Sequence, residues 1–158
     1  MNNEELLAAT AVNAWKVAIE QLDRLLSTLT DEQLQTQVSP GRNRVYYIVG
    51  HLAALHDKML PLLSFGARLH PALDEQFLKP DRTVPDTLSA TELRRVFGEI
   101  NATLTKEIQS LPASEWSKKH MSVSEADFAR DPLRNRLAVL LSRAGHAMFH
   151  AGQIRLAQ

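Results

Sequence analysis

Two histidines near the end of the chain have the spacing that metal binding from one helix requires. His146 and His150 are four residues apart, so on a helix their side chains differ by about 40° in direction and by one turn in height. Both imidazoles can then reach one ion, and imidazole is a ligand for zinc, nickel, copper and iron. His51 is the other histidine in an apolar segment with a helical pattern. We therefore expect His51, His146 and His150 to form one metal site between two helices.

Better-known histidine motifs do not fit this arrangement. Ala147 stands where a zinc peptidase with a His-Glu-x-x-His motif has its general base. No glutamate precedes any of the three histidines by three residues, as a di-iron site of the ferritin type requires. The sequence also lacks a glycine-rich nucleotide-binding loop and a Gly-x-Ser-x-Gly motif. Peptidase and di-iron chemistry are thus excluded.

The remaining three histidines are predicted to lie outside the site. His56 would point about 140° away from His51 on one helix, and the charged residues Asp57 and Lys58 follow it. We expect His56 to be a surface residue. His70 and His120 fall in predicted loops and are expected to have no functional role.

Four amphipathic helices are predicted to position the histidines. Apolar residues recur every three or four positions in four segments, which begin near residues 3, 43, 89 and 131. No segment shows the strict alternation typical of a strand. The predicted class is all-α, a four-helix bundle with long connections that forms one domain over residues 1–158. The expected buried stripe of the first helix is Leu7, Ala11, Trp15, Ala18, Leu22, Leu25 and Leu29.

Local signals predict where these helices begin and end. Thr30 and Ser89 each open a capping box, and Asn43 is the predicted N-cap of the second helix. Pro61 is expected to kink or end that helix near Leu60. The pair Asp131-Pro132 predicts the start of the fourth helix, with an acidic N-cap and proline at the first helical position.

Two long connections separate the predicted helices. Residues 64–87 carry several prolines and no sustained periodicity, with room for one helical turn. Residues 113–130 form a polar segment in which Trp116 and Phe128 are expected to pack against the body. Long connections in compact domains are uncommon and are often functional.

Composition excludes several classes of protein. Eighteen basic and eighteen acidic residues balance, so the strong positive charge of a nucleic-acid-binding protein is missing. Five arginines crowd the last part of the chain, and we expect them to form a solvated helix face; they are Arg130, Arg134, Arg136, Arg143 and Arg155. There is no cysteine, which excludes thiolate metal sites. Without a signal peptide or membrane span in the sequence, we expect a cytoplasmic protein with no membrane partner.

The sequence resembles the DinB-like (DinB/YfiT) superfamily of metalloenzymes. Members of that family are four-helix bundles of similar length, with one histidine from the second helix and two from the fourth. The resemblance covers essentially the whole chain. The matching segments are Gly50-His51-Leu52 and His146-x-x-x-His150-x-Gly152-Gln153-Ile154.

This resemblance implies a divalent metal ion, nickel or zinc above all, held by His51, His146 and His150. Family members with assigned activities are largely transferases or isomerases that use a low-molecular-weight thiol cosubstrate, and homodimers are usual. Because the chain has no cysteine of its own, an external thiol is a natural ligand for such an ion. The expected partners are therefore a small-molecule substrate and a second copy of the chain.

Three further residues are candidates for binding substrate or for supporting the metal ligands. Tyr47 lies one turn before His51, and Arg143 and Gln153 lie three residues from His146 and His150, respectively. Tyr47 would orient a substrate and Arg143 would bind an anionic one, whereas Gln153 belongs to the family motif. Two other interpretations remain open: a metal-dependent hydrolase, and a non-catalytic dimeric module for stress response or binding.

Overall fold

Apolar stripes with capped ends account for the helices of this protein. The computed structural model describes residues 1–157, and within that range it contains eight helices. In chain order these are α1 (Asn3–Ser27), α2 (Asp31–Leu34), α3 (Val45–Leu62), α4 (Leu73–Phe77), α5 (Ala90–Ser110), α6 (Ala113–Trp116), α7 (Glu125–Arg130) and α8 (Arg136–Leu156).

Four of the helices are long, and they form a bundle around the apolar core. α1 packs along α8 and α3 packs along α5, while looser contacts between α1 and α5 and between α3 and α8 close the ring. Trp15, Leu22, Leu52 and Leu93 are fully buried in this core. The predicted all-α class is confirmed. The four short helices, α2, α4, α6 and α7, lie in the connections and were not counted among the predicted four.

The apolar stripe of α1 is shifted by one residue at its N-terminal end. Leu7 is 62% exposed, whereas Ala8 and Ala11 are buried. From Ala11 to Leu22 the buried residues follow the predicted spacing. The first turn of α1 therefore extends beyond the packed core, and apolar spacing alone could not show where the core ends.

The two predicted capping boxes have different outcomes. At α2 the Thr30 hydroxyl accepts from the Gln33 amide N–H and the Gln33 side chain accepts from the Thr30 amide N–H. At α5 the Ser89 hydroxyl accepts from the Glu92 amide N–H. The Glu92 carboxylate, however, accepts hydrogen bonds from Arg95 instead of closing the box. The predicted cap is correct at α5, but its reciprocal half is replaced by an ion pair.

The predicted starts of the second and fourth long helices are wrong. α3 begins at Val45 with Arg44 as its N-cap, because backbone pairing of residues 36–38 with residues 43–45 keeps the preceding segment extended. α8 begins at Arg136, capped by Asn135 rather than by Asp131. Asn135 pairs with Lys119, and this long-range bridge holds its backbone extended. Asp131 instead caps a local turn at Leu133.

The end of α3 agrees with its prediction to within two residues. Pro61 lies inside the last turn, and α3 ends at Leu62. Pro61 removes one intrahelical hydrogen bond, and only one residue of α3 follows it. α3 therefore ends beyond Pro61 without a kink in its middle.

The two connections are folded onto the bundle. The connection 64–87 contains α4, the single turn expected there, and packs it against α3. In the connection 113–130, Trp116 is buried and Phe128 is partly buried, in agreement with the prediction. No helix among residues 1–157 is both long and apolar enough to cross a membrane.

Candidate metal centre

The three histidines of the predicted site meet in the groove between α3 and α8. His51 lies in the second turn of α3, and His146 and His150 lie in the second half of α8. One nitrogen from each ring lies within 4.8 Å of the other two. The ring centroids of His146 and His150 are 4.4 Å apart, and each lies less than 6 Å from that of His51. The structure therefore brings together the three residues that the sequence selects as metal ligands.

Hydrogen bonds at the outer nitrogens orient two of the rings. His51 Nδ1 lies 2.9 Å from the carbonyl oxygen of Phe77, and His150 Nδ1 lies 2.7 Å from Oε1 of Gln153. Since both partners are acceptors, each Nδ1 carries the proton of its hydrogen bond, which leaves Nε2 as the nitrogen that can bind an ion. This second hydrogen bond is the usual support of a metal-binding histidine.

The inner nitrogens converge on one point. His146 Nε2 lies 3.0 Å from His150 Nε2, and His146 Nδ1 is buried without a hydrogen-bond partner among the described residues. Three imidazoles whose inner nitrogens converge are a donor set that zinc and nickel accept. The residues present therefore fit a divalent ion.

Burial keeps the ligand histidines of α8 uncharged near neutral pH. Desolvation, followed by repulsion from His150, His51 and Arg143, lowers the pKa of His146 to about 4. Desolvation also lowers the pKa of His150, against the opposing effect of the hydrogen bond that its Nδ1 donates to Gln153. Protons therefore compete weakly for the lone pairs that a metal ion needs.

The three candidate supporting residues occupy different positions around the cluster. The Tyr47 ring stacks on His51 with centroids 5.9 Å apart, but its hydroxyl donates to the carbonyl oxygen of Lys79. Gln153 holds His150. Arg143 is partly buried one turn before His146, and its guanidinium has no hydrogen bond or ion pair among residues 1–157. Tyr47 and Gln153 thus contact candidate ligands, whereas the Arg143 guanidinium contacts neither histidine by a hydrogen bond.

Phe77 is a supporting residue that the sequence did not indicate. Its backbone carbonyl fixes His51, and its ring is fully buried against α3 beside Tyr46 and Tyr47. A carbonyl oxygen has no sequence signature. The one available signal was Gly50, because a glycine inside an apolar helix often marks a close approach by another group.

The prediction that His56 is a surface residue is wrong. His56 is completely buried, with its ring edge against Trp15 and its Nδ1 2.7 Å from Oδ1 of Asn101. Asp57 is buried as well, where its carboxylate accepts from Arg68 and from the amides of Leu69 and His70. Charged neighbours in the sequence suggested solvent, but this side of α3 is covered by α5 and by the connection 64–87.

His56 should make the protein less stable in mild acid. Desolvation lowers its pKa from 6.5 to about 3, so below pH 6.5 the unfolded chain binds a proton that the folded chain refuses. Stability is complete above that pH and falls as the pH drops towards 3. Linkage predicts a loss of about 1.5 kcal/mol between pH 6.5 and 5.

Chemical denaturation of wild type and His56→Leu at several pH values checks this expectation. The variant will be less stable overall because Asn101 loses its partner, but its stability should depend less on pH. His70→Gln is the control, since His70 lies at the surface beside Glu99. Equal pH slopes for wild type and His56→Leu would contradict the assignment.

Comparison with known proteins agrees with this geometry. No curated protein matches the chain. The sequence model of the DinB superfamily matches residues 14–154, which include all three histidines and all four long helices except the first turns of α1 and the end of α8. The chain therefore belongs to the DinB superfamily.

Proposed function

We propose that this protein is a divalent-metal-dependent enzyme that uses a low-molecular-weight thiol, as an S-transferase or an isomerase. The observation that carries the proposal is the convergence of three imidazoles between α3 and α8, two of them held by acceptors at Nδ1. Three protein ligands leave a coordination position open, as in catalytic rather than structural sites. The absence of cysteine means that the thiol must come from outside.

The chain's own residues orient the histidines that would hold the metal ion. A bound nickel or zinc ion would lower the pKa of a thiol or water that coordinates it. The carbonyl of Phe77 and the side chain of Gln153 fix the directions of His51 and His150. Tyr47 covers one side of His51, and Phe149 lies against His150 with a centroid distance of 5.2 Å. Two aromatic rings therefore border the histidine cluster.

Metal analysis of the purified protein tests whether the three histidines bind a divalent ion. We expect about one divalent ion per chain, as in other catalytic three-ligand sites. His51→Ala, His146→Ala and His150→Ala should each lose most of it, because two imidazoles bind far more weakly than three. His70→Ala should retain the metal. Equal metal content in wild type and His150→Ala would refute the site.

A spectroscopic titration tests the other part of the proposal, that the metal ion binds a thiol. Glutathione added to the nickel-loaded protein should produce a sulfur-to-nickel charge-transfer band in the near ultraviolet, and S-methylglutathione, which has no free thiol, should not. Hydrolysis of ester or amide substrates without any thiol, and without such a band, would instead favour the metal-dependent hydrolase. Failure of both assays with full metal content would favour a non-catalytic module.

We further propose that the protein is a homodimer that pairs through the outer face of α8. Leu141, Met148 and Phe149 are exposed on this face. Gly145 and Gly152 lie on it too, and a Cβ added to either would meet no atom within 4 Å. Glycine costs a helix about 1 kcal/mol relative to alanine, and nothing inside the monomer requires it here. A second helix that packs closely against this face would explain both glycines.

Replacing Phe149 with glutamate should therefore convert the dimer to a monomer. Phe149 is 61% exposed, so its replacement costs the monomer little, whereas a charge in an apolar interface is costly. Light scattering coupled to size-exclusion chromatography measures the mass. Met121→Glu is the matched control, since Met121 is 60% exposed but lies off α8. A Phe149→Glu protein with unchanged mass would place the interface elsewhere.

A further inference from the structure

An open pocket of about 340 Å³ lies at the N-terminal end of α8, next to the histidine cluster. Leu62, at the end of α3, and Val139 form apolar parts of its wall, and Arg143 lies on the side towards His146. Arg143 lies three residues before His146 on α8, so the two side chains lie on the same side of the helix, about one turn apart. The pocket therefore lies about one helical turn from the candidate metal centre.

The charges lining this pocket are all positive. Arg134 and Arg143 line it together with His120, and no aspartate or glutamate among residues 1–157 does so. Burial, followed by Arg134 and Lys119, lowers the pKa of His120. Burial also lowers the pKa of Arg143. Both shifts have burial as their first cause, so both side chains are partly withdrawn from water.

Two neighbouring arginines, in contrast to those of the pocket, pair with acidic residues. Arg130 binds Asp127 and Arg136 binds Glu115. By contrast, neither Arg134 nor Arg143 makes a side-chain hydrogen bond or ion pair with the described part of the chain. A surface arginine without a partner is common, but Arg143 is partly buried, so an anion paired with its guanidinium is screened less by solvent than one at an exposed arginine.

Hydrogen-bond donors complete the pocket. The hydroxyls of Ser122 and Ser142 line it beside the two guanidinium groups. Ser122 Oγ lies 2.9 Å from His120 Nδ1, which leaves the other ring nitrogen of His120 for a ligand. Guanidinium groups bind carboxylates through two parallel hydrogen bonds, and serine hydroxyls add further donors.

We infer that this pocket binds the carboxylate of a small-molecule substrate or cosubstrate, with Arg143 as the principal contact. The inference rests on the proposed function, since it assigns the pocket to the molecule that reacts at the histidine cluster. Arg143 and His146 are separated by about 4.5 Å along the helix axis. A ligand of a few carbon atoms can therefore hold its carboxylate at Arg143 and reach the cluster with its other end.

An NMR titration with succinate tests this assignment without relying on activity. Succinate added to the full-length protein should shift the amide signals of residues around Arg134 and Arg143. Arg143→Gln should weaken succinate binding at least about tenfold, as expected for loss of a charge-assisted bidentate contact. Arg134→Gln should weaken it about threefold, because Arg134 is exposed and screened by solvent.

The matched control is Arg155→Gln, which removes an arginine from the same helix but outside this pocket. It should leave succinate binding unchanged. Dimethyl succinate, which has the same carbon chain and no charge, should not bind. Thermal unfolding of each variant checks that the fold is intact.

Three results would overturn the inference. The first is equal succinate affinity in wild type and Arg143→Gln, and the second is signal shifts away from the pocket. The third is binding of inorganic phosphate at least about tenfold tighter than that of succinate, since guanidinium groups bind phosphate as well. The same titration with His150→Ala separates this inference from the proposed function. If His150→Ala does not change the metal content but succinate still requires Arg143, the metal site fails and the carboxylate pocket stands.

Discussion

Replacing Arg44 with glutamine should destabilise the protein by about 3–5 kcal/mol, the range expected when one partner of a buried ion pair is removed. The Arg44 side chain is 7% exposed, as is that of its partner Asp81. Its guanidinium donates to Asp81, Asp86 and Gln35, and its backbone amide donates to Asp81 as well. Glutamine cannot reproduce this set of donors.

The reason for so large an effect is the charge left behind. Burial alone would raise the pKa of Asp81, but hydrogen bonds from Arg44 lower it on balance. Without Arg44, two aspartates would face each other with no cation between them. One of them would have to take up a proton, or the connection 64–87 would have to open to water. Both outcomes would lower the free energy of unfolding of the variant relative to that of the wild type.

Denaturant unfolding measures this loss, and a double-variant cycle assigns it. Asp81→Asn should cost less in the Arg44→Gln background than in wild type, with a coupling energy above about 1 kcal/mol. Arg24→Gln is the control, because the ion pair of Arg24 with Glu20 is exposed and 3.9 Å long. Its loss should change stability by less than about 0.5 kcal/mol. Strict additivity of Arg44→Gln and Asp81→Asn would show that Arg44 acts by another route.

The histidine cluster could be predicted because its key relationships are local. His146 and His150 share one helix, so their spacing alone fixes their geometry. His51 required only that a second apolar helix pack nearby. The long helices followed from apolar periodicity for the same reason, since 3.6 residues per turn relate sequence to surface directly.

The features that the sequence did not predict depend on contacts between distant segments. α8 begins at Arg136 because Asn135 pairs with Lys119, and no signal near residue 131 reveals that bridge. His56 is buried because α5 supplies Asn101 and Phe97, whereas its own neighbours in the sequence are charged. The carbonyl of Phe77 reaches His51 across 26 residues. Each of these contacts is set by tertiary packing, which overrides local preference.

Replacing Gly50 with alanine should destabilise the protein by about 1–3 kcal/mol, the usual cost of overpacking a core, although alanine is the better helix former. A Cβ at position 50 would lie 2.2 Å from ring atoms of Phe77, far inside van der Waals contact. Phe77 is fully buried and packs against Tyr46 and Tyr47, so its ring has little room to move.

The same substitution should also weaken metal binding, because the Phe77 carbonyl holds His51. Displacing Phe77 would shift that acceptor and loosen the ring of one predicted ligand. We expect the affinity for zinc to fall by about 10–100-fold, the range measured when an outer hydrogen-bond partner of a metal ligand is lost. Isothermal titration with zinc and denaturant unfolding give the two readouts.

Gly98→Ala is the matched control for both measurements, since Gly98 lies inside α5 and a Cβ there would meet no atom within 4 Å. It should stabilise the helix by about 0.5–1 kcal/mol and leave zinc affinity unchanged. Phe77→Leu in the Gly50→Ala background should recover part of the lost stability, because leucine leaves space for the added methyl group.

If Gly50→Ala behaves like Gly98→Ala, Phe77 moves freely and its carbonyl does not determine the orientation of His51. If only stability falls while zinc affinity is kept, close packing at Gly50 serves the fold and His51 is oriented by the cluster itself.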